Sequence, residues 1–143
     1  MVVSDHSPCT EDLKSMSSYS LMSSWGGISS LQYGLPLMWS EGRKRGLTVQ
    51  DVLRLMATNT AKYANLSGRK GRLDVGFDAD IIVWDPHESF TIDQAEILHK
   101  NKLTPYLGWK LSGVIHHTYV RGQLVFSNGD VVTETPIGQL LVA

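Results

Sequence analysis

Cysteine is nearly absent: Cys9 is the single one in 143 residues, which excludes an internal disulfide and suits a reducing compartment. An excess of either charge is also missing. Thirteen basic residues face 14 acidic ones, for a net charge of −1, and this leaves no electrostatic case for nucleic acid or an anionic membrane surface. No apolar run approaches the roughly 18 residues of a membrane span. The first residues lack the basic and apolar regions of a signal peptide, and Gln139-Leu140-Leu141-Val142-Ala143 matches no simple address signal. The expectation is a cytoplasmic or organelle-lumen location rather than secretion. The chain has neither a His-x-His nor a His-Glu-x-x-His pattern, and no internal repeat. His116 and His117, adjacent on an expected strand, face opposite ways and cannot readily share one ion. With His87 and His99 they read as structural. What is present is globular in character, with 42% apolar and 19% charged residues.

An apolar start, Val2-Val3, ends abruptly in Ser4-Asp5-His6-Ser7-Pro8-Cys9. Residues 1–4 read as the end of a strand buried on both faces, and residues 5–24 as a long loop with seven serines between Ser7 and Ser24. A low-complexity linker is one reading of that serine content. Met16, Tyr19, Leu21, Met22 and Trp25 are too apolar for a solvated linker and favour an ordered loop at a site. The three- and four-residue spacing of Ile28, Leu31, Leu35, Met38 and Trp39 predicts a helix, with Pro36 implying a kink or break. Thr48 and Asp51 form a capping box ahead of Val49, Val52, Leu53 and Met56. A turn at Ala57-Thr58-Asn59 is expected to separate that helix from a third, Thr60 to Leu66.

From Gly71 the pattern turns to β. Ile81-Ile82-Val83-Trp84 reads as a short strand closed by Asp85-Pro86, with residues 89–92 as a partner strand. Gly113 to Val120 alternates, and Arg121-Gly122 turns the chain into Leu124-Val125-Phe126 as a hairpin. Trp25, Trp39, Trp84 and Trp109 read as core or loop-packing aromatics.

Three motifs together resemble the C-terminal third of metal-dependent amidohydrolases of the dihydroorotase, dihydropyrimidinase and allantoinase group. Ser4-Asp5-His6-Ser7-Pro8-Cys9 resembles the loop after the last barrel strand, its Ser-Pro-Cys ending being most similar to the allantoinase branch. Ala57-Thr58-Asn59-Thr60-Ala61-Lys62 resembles a segment carrying a substrate-contacting asparagine. Gly71-Arg72-Leu73 through Ala79-Asp80-Ile81-Ile82-Val83-Trp84-Asp85-Pro86 resembles a strand entering the small β-sandwich beside the barrel. The resemblance implies an α/β fold: a C-terminal fragment of a (β/α)8 TIM barrel over residues 1–67, then part of a composite β-sandwich over 68–143. At 143 residues the chain falls well short of the about 250 of a whole barrel.

The reaction implied is hydrolysis of a cyclic amide, allantoin to allantoate in the allantoinase branch, by water activated on zinc or another divalent metal pair. Asp5 matches the aspartate that binds metal and shuttles a proton, since a carboxylate beside a cation stays ionised and able to accept a proton. Its alternative is a plain turn cap. Asn59, with a carbonyl and an amide to offer a ring, matches the substrate-binding asparagine; its alternative is a helix N-cap. Ser7 is a further substrate-binding candidate, His6 reads as supporting or structural, and Cys9 as a partly buried structural thiol.

The family's remaining metal ligands, a His-x-His, a carboxylated lysine and two further histidines, have no counterpart here. The expectation is that this chain stably binds no catalytic metal, turns over no cyclic amide by itself, and is poorly soluble alone. A homo-oligomer is implied for the full-length form. Met1 is either an initiator or an internal residue of the strand. The alternative in another class is a non-catalytic truncated relative acting as an assembly module.

Overall fold

The computed structural model describes residues 1–14 and 21–141, so Met16 and Tyr19 of the serine-rich loop lie outside the described residues. Single 3₁₀ turns at Asp12–Lys14 and Leu21–Ser23 occupy the described parts of that loop. A third, Leu31–Tyr33, runs directly into helix α1, Gly34–Arg43. Pro36 does not break this helix. It sits in the first turn, where a backbone N–H would have no intrahelical partner.

Helix α2, Val49–Leu53, starts at the expected capping box. The Thr48 hydroxyl accepts from the Asp51 N–H (3.2 Å) and Asp51 Oδ2 accepts from the Thr48 N–H (3.0 Å). The expected turn at Ala57–Asn59 is absent. A π-helical stretch, Arg54–Thr58, carries the backbone without interruption into α3, Asn59–Tyr63. Widening the helix by one residue is a smaller perturbation than ending it, and the Thr60 hydroxyl donates back to the Met56 and Ala57 carbonyls (2.6 and 2.8 Å) at that point. Asn59 is thus interior to a helix and is not an N-cap.

The sheet has four antiparallel strands in the order β1 (Ile81–Thr91), β2 (Lys110–Val120), β3 (Gln123–Ser127) and β4 (Asp130–Val131). Asp85-Pro86 does not close the first strand. Asp85 Oδ1 accepts from the His87 N–H (2.7 Å), the register slips between Asp85 and Ser89, and pairing resumes with Ser89 opposite Ser112. Proline is tolerated because it falls in the bulge, where no ladder donor is needed. The segment read as a partner strand is therefore the second half of β1. Both hairpin turns, Arg121-Gly122 and Asn128-Gly129, have positive φ at both residues, as the tight turn between twisted antiparallel strands demands.

Helix α1 lies on β1 and β2. The Trp39 indole N–H donates to the Pro86 carbonyl (2.8 Å), and Ser40 and Ser112 exchange two hydrogen bonds, hydroxyl to carbonyl (3.2 Å) and amide to hydroxyl (2.8 Å). Gly113 leaves room for this contact: a Cβ there would lie 2.9 Å from the Trp84 ring. The core gathers Tyr33, Ile92, Ile97 and Leu111, flanked by Leu37, Phe90 and Tyr106. Loop 69–80 is fastened at both ends. Lys70 bridges Asp78 and Asp80, Asp80 accepts from the Arg121 N–H (2.9 Å), and the Gly122 N–H donates to Ala79 (2.8 Å).

Residues 1–4 do not form a strand buried on both faces. Met1 and Val3 are exposed, and the Val2 N–H donates to the Leu55 carbonyl (2.9 Å). A doubly buried strand needs a partner along each edge, and among the described residues this segment has a single such contact. No helix among the described residues is long and apolar enough to cross a membrane.

Candidate functional site

The segment around Asp5 is tied to the start of the α1 region, residue by residue. A parallel bridge joins His6 to Ile28, and the Ser7 N–H donates to the Ile28 carbonyl (3.0 Å). The Ser30 hydroxyl donates to the Ser4 carbonyl (2.9 Å). His6 Nδ1 accepts from the N–H groups of both Ser30 and Leu31 (3.1 Å each). Those two amides open the 3₁₀ turn leading into α1, where backbone donors lack intrahelical partners. Acceptance by Nδ1 requires that His6, when neutral, carry its proton on Nε2.

Asp5 itself is exposed, with φ of 44°, the left-handed region in which few residues other than glycine are found. Its carboxylate makes no hydrogen bond or ion pair among the described residues. The turn-cap alternative, in which that carboxylate bonds local N–H groups, is therefore not what the structure contains. A residue in a costly backbone conformation, flanked by fixed neighbours and with its charged end free, is the pattern found where side chains meet ligands.

Ser7 is half-buried, and its hydroxyl accepts from the Trp25 indole N–H (3.3 Å). Gly27 has to be glycine, because a Cβ there would lie 2.5 Å from the Ser7 carbonyl oxygen. Lys14 secures the same loop through the Trp25 (2.9 Å) and Gly27 carbonyls. Cys9 is buried, as expected for a structural thiol. Asn59 lies beside Met1, Lys62 and Tyr63 in a shallow depression that does not include Asp5. The structure thus puts Asn59 next to the start of the chain, without bringing its side chain onto the carboxylate.

Two of the histidines expected to be structural have side-chain partners, whereas both buried ring nitrogens of His99 find none among the described residues. His116 Nε2 meets Glu88 (3.0 Å) and His117 Nδ1 meets the Ser127 hydroxyl (3.2 Å). His99 packs edge-on against His6, with ring centroids 5.2 Å apart. Burial, then the charge of His6, holds its pKa below the usual histidine value, with the Asn101 backbone offsetting this in part. Among the described residues no group of three or more His, Cys, Asp or Glu side chains comes together to hold a metal ion. Asp5 can supply one ligand, and a catalytic centre needs about three. The described residues do not fit a metal pair on their own.

A roomier concavity lies elsewhere. A groove of about 800 Å³ between the α2–α3 helix and β1 is lined by Val52, Met56, Ala61, Leu66, Ile81 and Trp84 among others, and touches none of Asp5, Ser7 or Asn59. Its lining also includes Lys70, Asp78 and Asp80, but these pair with one another and brace the loop 69–80. Sequence reasoning missed Ser30, which holds both flanks of Asp5. The signal lay in the Ser29-Ser30 pair ahead of the apolar helix, a usual N-cap composition, although Ser30 spends its hydroxyl on Ser4.

Known proteins resemble this chain over nearly its whole length. The chain is 39% identical over 147 residues to Probable allantoinase 2 of Dictyostelium discoideum, covering 99% of this chain and 29% of that protein. It is 45% identical over 140 residues to the allantoinase of Streptomyces avermitilis, covering 98% of this chain and 30% of that protein. Among solved structures, the D-hydantoinase (dihydropyrimidinase) from Thermus sp. superposes with a TM-score of 0.81 at 28% identity, over 91% of this chain and 29% of that one. The chain thus spans about 30% of the length of the curated relatives it matches. Residues 1–125 match the amidohydrolase family, and the chain belongs to that family.

Proposed function

We propose that this chain is the C-terminal part of an allantoinase-like cyclic-amide hydrolase, in which Asp5 is the carboxylate brought to the reacting centre. Residues 1–67 would then correspond to the end of a (β/α)8 barrel and residues 68–143 to part of the flanking β-sandwich. The observation that carries the reading is Asp5: an exposed carboxylate without a partner among the described residues, at φ of 44°, in a chain that shares 45% identity with an allantoinase. Its role is to take a proton from the attacking water and return it to the ring nitrogen as the amide bond breaks. Ser7 and Asn59 are the proposed substrate contacts. The divalent metals that supply activated water in such enzymes require ligands beyond those in this chain, so Asp5 contributes one position to a centre completed elsewhere.

The likeness to a D-hydantoinase (dihydropyrimidinase) favours one alternative within the same chemistry, a different cyclic amide as substrate. The test is to exchange the matching 30% of the Streptomyces avermitilis allantoinase for this chain. The hybrid should open allantoin, and Asp5→Asn should lower its kcat by about a hundredfold or more, the usual scale for a positioned proton-transfer group. A hybrid that turns over dihydropyrimidines and not allantoin would move the assignment to the other branch. If Asp5→Asn left full activity, the role assigned to Asp5 would be wrong. The 143-residue chain alone, supplied with zinc, should show no allantoin hydrolysis.

A further inference from the structure

We propose that His6 and Ser30 form a clamp whose task is to hold Asp5 in its left-handed backbone conformation; the functional meaning of this rests on Asp5 being the reactive carboxylate. The residues on either side of Asp5 are each fixed to the same short stretch of chain. Ser30 takes the preceding residue through its hydroxyl, bonded to the Ser4 carbonyl (2.9 Å). Ser30 and Leu31 take the following residue through their backbone amides, both aimed at His6 Nδ1 (3.1 Å each). Beyond it, the Ser7 N–H is held by the Ile28 carbonyl (3.0 Å).

With residues 4, 6 and 7 all fastened to 28–31, the peptide planes on both sides of Asp5 are set, and φ of 44° follows from those anchors. Among the described residues, nothing holds the Asp5 side chain itself. An aspartate free to choose would leave this region, since its Cβ crowds the following carbonyl there. The clamp therefore works through the main chain and leaves the carboxylate unengaged.

Histidine serves here as an acceptor placed two bonds beyond Cβ. Asparagine puts Oδ1 in nearly the same place, whereas glutamine reaches past it. This gives a test of positioning that does not depend on turnover. In the 143-residue chain, amide hydrogen exchange at Ser30 and Leu31 and the Cα chemical shift of Asp5 are measured for the native protein, His6→Ala, His6→Asn and His6→Gln. His6→Ala and His6→Gln should speed exchange at both amides by about five- to tenfold, the scale of one ordinary hydrogen bond. They should also move the Asp5 shift toward extended-chain values, and His6→Asn should restore both. Ser30→Ala, which keeps the amides and loses the bond to Ser4, should move the Asp5 shift alone.

An unchanged Asp5 shift in His6→Ala and Ser30→Ala would overturn the clamp. So would failure of His6→Asn to rescue. These readouts report backbone geometry and so stand apart from the hybrid-enzyme assay. An intact clamp beside an Asp5 that proves dispensable for turnover would count against the hydrolase reading and leave the clamp in place.

Discussion

At Asp5, φ of 44° places Cβ against the following carbonyl oxygen, a conformation that costs an ordinary residue about 1–2 kcal/mol and glycine nearly nothing. Aspartate tolerates it better than alanine, yet still at some cost. Asp5→Gly should therefore be more stable than Asp5→Ala by about 1 kcal/mol, measured by urea denaturation of the two variants. If alanine matched glycine, the left-handed conformation would not be the solution structure. The same Asp5→Gly change should abolish activity in the hybrid enzyme. Relief of backbone strain by glycine relative to alanine, together with a loss of chemistry, is the expected signature of strain kept for function. The motif Ser4-Asp5-His6-Ser7-Pro8-Cys9 pointed to this residue, but the torsion and its anchors were not legible. They depend on residues 28–31, more than 20 positions away, and no local pattern reports such a pairing.

Among the elements, the capping box of α2 is where local sequence decided local structure. Thr48 and Asp51 satisfy one another's backbone donors, and Thr48→Ala should cost about 1 kcal/mol, read from thermal or denaturant melting. Asp51 is held below the usual carboxylate range first by the Thr48 N–H, then by the Thr48 hydroxyl, with Arg54 adding to it. Its folded pKa is thus below its unfolded one. The stability it brings is present above the unfolded value of about 3.9 and is lost as pH falls through the lower folded value. Asp51→Asn should flatten that part of the stability profile, and an unaltered acid limb would contradict the assignment.

In three other elements a local breaker failed to end the structure. Pro36 fell in a first turn, where its missing N–H costs no hydrogen bond. Asp85-Pro86 became a bulge because β2 resumed pairing beyond it. Ala57-Thr58-Asn59 became π-helical instead of a turn. The β2–β3 hairpin, by contrast, was readable from Arg121-Gly122, whose conformation is local.

For the molecule as a whole, the helical stripe did not mark the core: Ile28 and Leu31, expected on its apolar face, are exposed. Tyr33 and Leu37 pack against Ile92, Ile97 and Leu111, an association across 55 or more positions that periodicity does not encode. The groove beside α2, α3 and β1 and the exposed side chains of Leu73 and Val75 (75% and 98% accessible) leave substantial apolar surface in water. A dye that fluoresces on apolar surfaces should bind the folded chain saturably, and replacing Met56, which lines the groove, with Glu should weaken that binding. Dye binding unaffected by Met56→Glu would place the apolar surface elsewhere.

The cross-brace on loop 69–80 has a consequence for reactivity. Lys70 is held protonated above the ordinary lysine range, chiefly by its hydrogen bond to Asp80 and also by Asp78, and its side chain is 20% accessible against 62% for Lys44. A protonated amine has no lone pair to attack with. Mild acetic anhydride should therefore acylate Lys44 well before Lys70, as peptide mass mapping would read out. Once Lys70 is capped, Asp78 and Asp80 are left facing each other without their shared cation, and the hairpin turn at Arg121 should loosen with them.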